Sequence, residues 1–213
     1  ALPISDKAHL ALITGVVAVA VTAAIGVYFV AVRGWGLLPL GLLGVVNIIA
    51  YTPVATRHWL LCLLAPGLGF GPMMVMGTEF CLTGSYSLTG AVASLTPLFL
   101  VSDLLLLNQF PDREPHRAFG RNHLIITTSP ARGVVVYGVF LLLAYLAPVV
   151  GWLAGVLPVG ALLGLLLAAL ALQTFRGVRR HHAELPRLLP PMGQNVVLNL
   201  ATPVLMAVGL FVF

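Results

Sequence analysis

Acidic side chains are scarce in this 213-residue chain, so each can be weighed for chemistry: Asp6, Glu79, Asp103, Asp112, Glu114 and Glu184. Asp103 lies inside an apolar run, about one turn before its end, where an ionisable group is costly and usually faces a bundle interior or a wet cavity. That position fits a functional carboxylate, and equally a buried one paired with a neighbouring polar group. Just beyond it Asn108-Gln109-Phe110-Pro111-Asp112-Arg113-Glu114-Pro115-His116-Arg117, then Gly120-Arg121-Asn122-His123-Leu124, form the densest polar segment of the sequence. On a helix Asn108, Asp112 and His116 at i, i+4 and i+8 would face one way, although Pro111 and Pro115 interrupt regular helix. A carboxylate among several arginines suits an anionic phosphorylated ligand carried with Mg²⁺, because the metal takes hard oxygen ligands while Arg pairs with phosphate oxygens. A solvated basic loop that only sets membrane orientation is the plainer alternative. His181 and His182, among Arg179, Arg180 and Glu184, read as a juxtamembrane cluster near anionic lipid, with metal binding the less favoured reading. Gln194, Asn195 and Asn199 read as glue between helices.

The elements that must position these groups are helices in a membrane. Hydrophobic residues make up 60% of the chain and charged ones 8%, against about 25% charged in soluble domains. Apolar runs predict seven spans, at about 9–32, 36–51, 59–79, 89–108, 132–149, 152–174 and 193–213, in a single all-α, polytopic transmembrane bundle. The second run is short, and Pro66, Gly67, Gly69, Pro72 and Gly77 predict bends in the third. Seven spans place ten of the eleven Lys and Arg on one side, with Arg33 alone opposite, so the two long basic loops are expected in the cytoplasm. Gly151 with Gly155, and Gly160 with Gly164, predict close helix packing. Basic residues scattered over short loops make no stripe for nucleic acid. Cys62 and Cys81 have no C-x-x-C spacing and read as bystander thiols. The opening residues lack the features of a signal peptide, and the start reads as cut.

The stretch LLLLNQFPDREPHRAFGRNHL resembles the second aspartate-rich motif of the UbiA prenyltransferase superfamily, approximately N-x-x-x-D-x-x-x-D-R followed by A-G-R/K-R-x-L in the dihydroxynaphthoate-type and related archaeal branches. Asn108, Asp112, Arg117, Gly120, Arg121 and Leu124 match in register. AYTP, from Ala50 to Pro53, is similar to the family's Tyr-Thr/Ser element, and FGPMMVMGTEFCLTGSYS, from Phe70 to Ser87, to its G-P-L-M-V-x-G-T-x-x-x-x-T-G segment. Three elements in the right order are more specific than any one.

The resemblance implies a nine-helix fold in which two aspartate-rich motifs bind Mg²⁺ and a prenyl diphosphate, and the isoprenyl group passes to an aromatic or other lipid-pathway acceptor, as in quinone biosynthesis. It implies Asp112 as a Mg²⁺ ligand, Asn108 as a polar partner of the metal and diphosphate, Arg117 and Arg121 as diphosphate contacts, and Tyr51 as a hydroxyl at the cavity mouth. Arg57 is a further phosphate candidate, and Asp103 a candidate substrate contact. His116 stands where the motif has its second Asp, a poor exchange for Mg²⁺. The first aspartate-rich motif is not among these residues, which implies that two N-terminal helices are missing. The expected setting is the cell inner membrane, with membrane lipids around the bundle. A non-catalytic polyprenyl-lipid-binding relative and a small helical transporter are the alternatives; a transporter should show symmetry between halves, and none is visible.

Overall fold

The structure, a computed structural model, describes residues 4–51, 53–111 and 124–212. Among these residues every regular element is helical, and six helices are long and apolar enough to cross a membrane: His9–Arg33, Trp59–Thr83, Leu88–Asn108, Pro130–Leu153, Val159–His181 and Leu185–Val212. Trp35–Tyr51 is apolar but shorter. At 1.5 Å per residue it reaches about 25 Å, less than a hydrocarbon core of roughly 30 Å. The expected short second span is thus present as a helix, flanked by six of full length.

α1 (Ile4–Arg33) is continuous, and none of its described side chains from His9 onward is buried. A helix apolar on every side belongs in lipid or against other apolar helices. It ends at Gly34, whose φ of 109° turns the chain into a region favouring glycine, and a 3₁₀ turn leads to α2 (Leu38–Tyr51). The third span contains α3 (Trp59–Leu68), a π-helical turn over Gly69–Met73 and α4 (Met74–Thr83). Pro72 accounts for that turn, because it has no N–H for the carbonyl four residues back and its ring crowds that carbonyl. Gly67 and Gly71 face the next span so closely that a Cβ on Gly71 would lie 2.7 Å from the Ser94 carbonyl oxygen. The fourth span is α5 (Leu88–Ala93) followed by α6 (Leu95–Asn108), with the break falling before Pro97. Glu79 of α4 accepts hydrogen bonds from the Ser87 amide at 3.2 Å and from the Ser87 hydroxyl, which ties the third span to the fourth.

After the short α7 (Leu124–Thr127), α8 (Pro130–Leu153) runs four residues past the expected end at 149. Pro148 does not stop it. Its missing N–H would leave the Ala144 carbonyl without a donor, and the Thr96 hydroxyl of α6 fills that place at 2.9 Å. The chain reverses instead at Gly155, φ 71°, ahead of Pro158, so Gly155 is a turn residue and not the packing glycine expected. Val159–Leu167 is 3₁₀, and α9 (Ala168–His181) completes the sixth span at 159–181 where 152–174 was expected. Gly160 and Gly164 do pack as expected, against Gly209 and Met206 of α10 (Leu185–Val212). α10 begins eight residues before the expected 193, because Pro186 sits in a first turn whose N–H groups need no helical acceptor. The core lies where α6 packs on α8 and α10, and α9 on the same two helices, around Leu100, Leu106, Leu107, Tyr137, Leu141, Val178 and Leu198.

Candidate functional site

α2 and α3 lean together around an apolar cavity of about 290 Å³, walled by aliphatic side chains such as Leu43, Val46, Leu61, Leu64 and Leu68. Two polar residues of α2 line it, Asn47 and Tyr51, one turn apart on the same face. The Asn47 amide donates to the Ala65 carbonyl of α3 at 2.9 Å, which fixes the two helices together partway along the cavity. Tyr51 is the last residue of α2, half-buried, with its hydroxyl 3.8 Å from the buried Cys62 sulfur. Arg57 closes the 3₁₀ turn Ala55–Arg57 immediately after, and is exposed. The cavity therefore has an apolar body with the Tyr51 phenol at the end of α2, and Arg57 follows in the chain without lining it.

Asn108, the last residue of α6, is exposed on the same side of the bundle, since α2 and α6 both run toward the basic face. Asp103 stands apart from it. Five residues of helix turn it roughly 140° away, and it is fully buried, with neither carboxylate oxygen hydrogen-bonded among the described residues. Its electrostatic neighbour is Tyr137 of α8, whose hydroxyl donates to Asn195 Oδ1 of α10 at 2.9 Å. Asp103 thus belongs to a polar cluster shared by α6, α8 and α10. Asn195 acts between helices, as expected, whereas Tyr137 was not foreseen; its one sequence signal was a phenol inside an apolar run. Asn47 was passed over in the same way, although its i, i+4 spacing from Tyr51 marks a shared face. Asp112, His116, Arg117 and Arg121 lie outside the described residues. Among those described, no three His, Cys, Asp or Glu side chains gather as a metal site requires.

A helical membrane bundle is the architecture that the three sequence elements implied. The sequence pattern of the UbiA prenyltransferase family matches residues 7–189. The chain belongs to the UbiA prenyltransferase family. No curated protein and no solved structure matches it. The match takes in every element that lines the cavity, and the Asn108 to Leu124 segment with them. UbiA membership and the six apolar helices make this an integral membrane protein of the prenyltransferase class.

Proposed function

We propose that the chain moves an isoprenyl group from a prenyl diphosphate to an aromatic or other lipid-pathway acceptor within the membrane. The observation that carries this reading is the apolar cavity between α2 and α3, lined at the end of α2 by Tyr51. An isoprenoid tail gains roughly 0.8 kcal/mol per buried CH₂, so the tail lies along the aliphatic walls and the diphosphate stays at the polar end. There the Tyr51 hydroxyl and the Arg57 guanidinium donate to phosphate oxygens, and Arg117 and Arg121 add charge-assisted contacts from the segment after α6.

The donor chemistry fits Mg²⁺ at one position: Asn108 and Asp112 offer the hard oxygens it takes, while the His116 imidazole suits softer metals. Bound there, Mg²⁺ supplies positive charge to the departing diphosphate. The transfer breaks the bond between the first prenyl carbon and the diphosphate oxygen, forms a bond from that carbon to an electron-rich atom of the acceptor, and releases diphosphate and a proton. Arginines held in a low-dielectric setting stabilise the leaving-group charge, and the aliphatic walls keep water from the electrophilic carbon. By the bias of Lys and Arg, this end of the bundle faces the cytoplasm.

The test is product formation in membranes that express the chain, supplied with isotopically labelled prenyl diphosphate and extracted for labelled lipid. The reading predicts a labelled acceptor and a loss of about 100-fold or more for Asp112→Ala. Labelled product formed equally well by Asp112→Ala, or labelled diphosphate recovered unconsumed, would overturn it.

A further inference from the structure

A second cavity, of about 400 Å³, opens between α9 and α10 on the basic side and shares no residue with the cavity at Tyr51. Its wall carries four polar side chains: Gln173 and His181 from α9, Arg187 and Gln194 from α10. The two helices come close midway along its lining, where a Cβ on Gly177 would come within 2.6 Å of Pro191.

We propose that this cavity binds a phosphate-bearing anion, and that an anionic phospholipid headgroup is its occupant. Arg187 supplies the charge. Its present partner is Glu184 at 3.1 Å, an exposed pair of the kind that contributes little, so the guanidinium can turn to a phosphate at small cost. The Thr174 hydroxyl donates to Gln194 Oε1 at 3.2 Å, which leaves the amide NH₂ of Gln194 as the end available to an acceptor. His181 lines the same wall, with its Nδ1 buried and without a hydrogen-bond partner among the described residues. Arg176, Arg179 and Arg180 on α9 make the surroundings basic, with Glu184 the only acid between residues 168 and 212. The first turns of α10 do not compete for the anion, since the Arg187 and Leu188 amides already donate to the Glu184 carbonyl.

The lipid source is favoured by what lies beside the cavity. Leu172, Leu185, Leu189 and Val197 are exposed on the same two helices and give acyl chains an apolar surface beneath a headgroup held at the basic end. Basic pockets between helices at a membrane surface are the recurrent setting for anionic headgroups.

The experiment is native mass spectrometry of the purified protein titrated with short-chain phosphatidylglycerol or phosphatidylcholine, beside a thermal-shift titration with inorganic pyrophosphate. Phosphatidylglycerol should bind about tenfold more tightly than phosphatidylcholine, and His181→Ala with Arg187→Ala should remove that preference. Arg179→Ala with Arg180→Ala removes two charges that do not line the cavity and should change it less than threefold or so. If the alanine pair folds poorly, His181→Gln with Arg187→Gln keeps the volume and should lose the preference to a similar extent. Pyrophosphate that stabilises the wild type and not the variant would support the phosphate site while assigning it to a soluble ligand. Equal binding of the two lipids without any pyrophosphate effect, or equal losses from the two arginine-bearing pairs, would overturn the proposal.

Discussion

Asp103 and Tyr51 show how differently two polar residues of one membrane chain are used. Tyr51 lines a cavity at the end of its helix, whereas Asp103 is sealed among α6, α8 and α10 beside Tyr137. An ionisable side chain within a span is costly, and Asp103 is fully buried with neither oxygen hydrogen-bonded among the described residues, so it weighs on stability more than on ligand binding. Asp103→Asn should hold or raise the melting temperature of the detergent-solubilised protein and leave prenyl-diphosphate affinity within about threefold; a tenfold loss of affinity would make Asp103 a substrate contact after all. The sequence marked Asp103 as unusual because an acid in an apolar run is rare. It could not reveal the neighbours, since Tyr137 and Asn195 are 58 residues apart and meet only when α8 packs on α10.

Helices that bend or continue across proline define the elements of this fold, and each has a local cause. Ala144 is the clearest: Pro148 withdraws its helical donor and Thr96 of the neighbouring span replaces it. Thr96→Val should therefore destabilise the folded protein by about 1–2 kcal/mol. In a Pro148→Ala background, where a helical N–H is restored, the same substitution should be nearly neutral, as read by thermal or denaturant unfolding of all four members of the cycle. Equal losses in both backgrounds would mean that Thr96 is not serving that carbonyl. Apolar runs made most helices legible, as with 89–108 against Leu88–Asn108. The turn after α8 was not, because Gly151 to Leu157 holds no charge and hydropathy cannot separate an apolar turn from an apolar helix. Only the positive φ of Gly155 and the following Pro158 place it.

Among the described residues Arg57, Arg132, Arg179, Arg180 and Arg187 stand at helix ends on one side of the bundle, the side of the end of α2, the end of α6 and the second cavity. If that side faces the cytoplasm, Ala183→Cys on a Cys62→Ser, Cys81→Ser background should resist a membrane-impermeant maleimide in intact cells and react once the membrane is opened. Ser85→Cys should behave in the opposite way, reacting in intact cells; the reverse pattern would invert the bundle. The UbiA family was legible because its motifs are runs of adjacent residues from Asn108 to Leu124 and from Phe70 to Ser87. The two cavities were not, since each forms between residues of two helices whose approach shows only in the packed bundle. The central claim is that a prenyl diphosphate binds at the basic end through Mg²⁺ and Asp112, and its most direct test is binding of a non-hydrolysable prenyl thiodiphosphate to the purified protein. Saturable binding that is lost on chelation of Mg²⁺ and falls at least about tenfold in Asp112→Ala is the predicted result. Binding indifferent to both the metal and Asp112, or no binding with Mg²⁺ present, would contradict it.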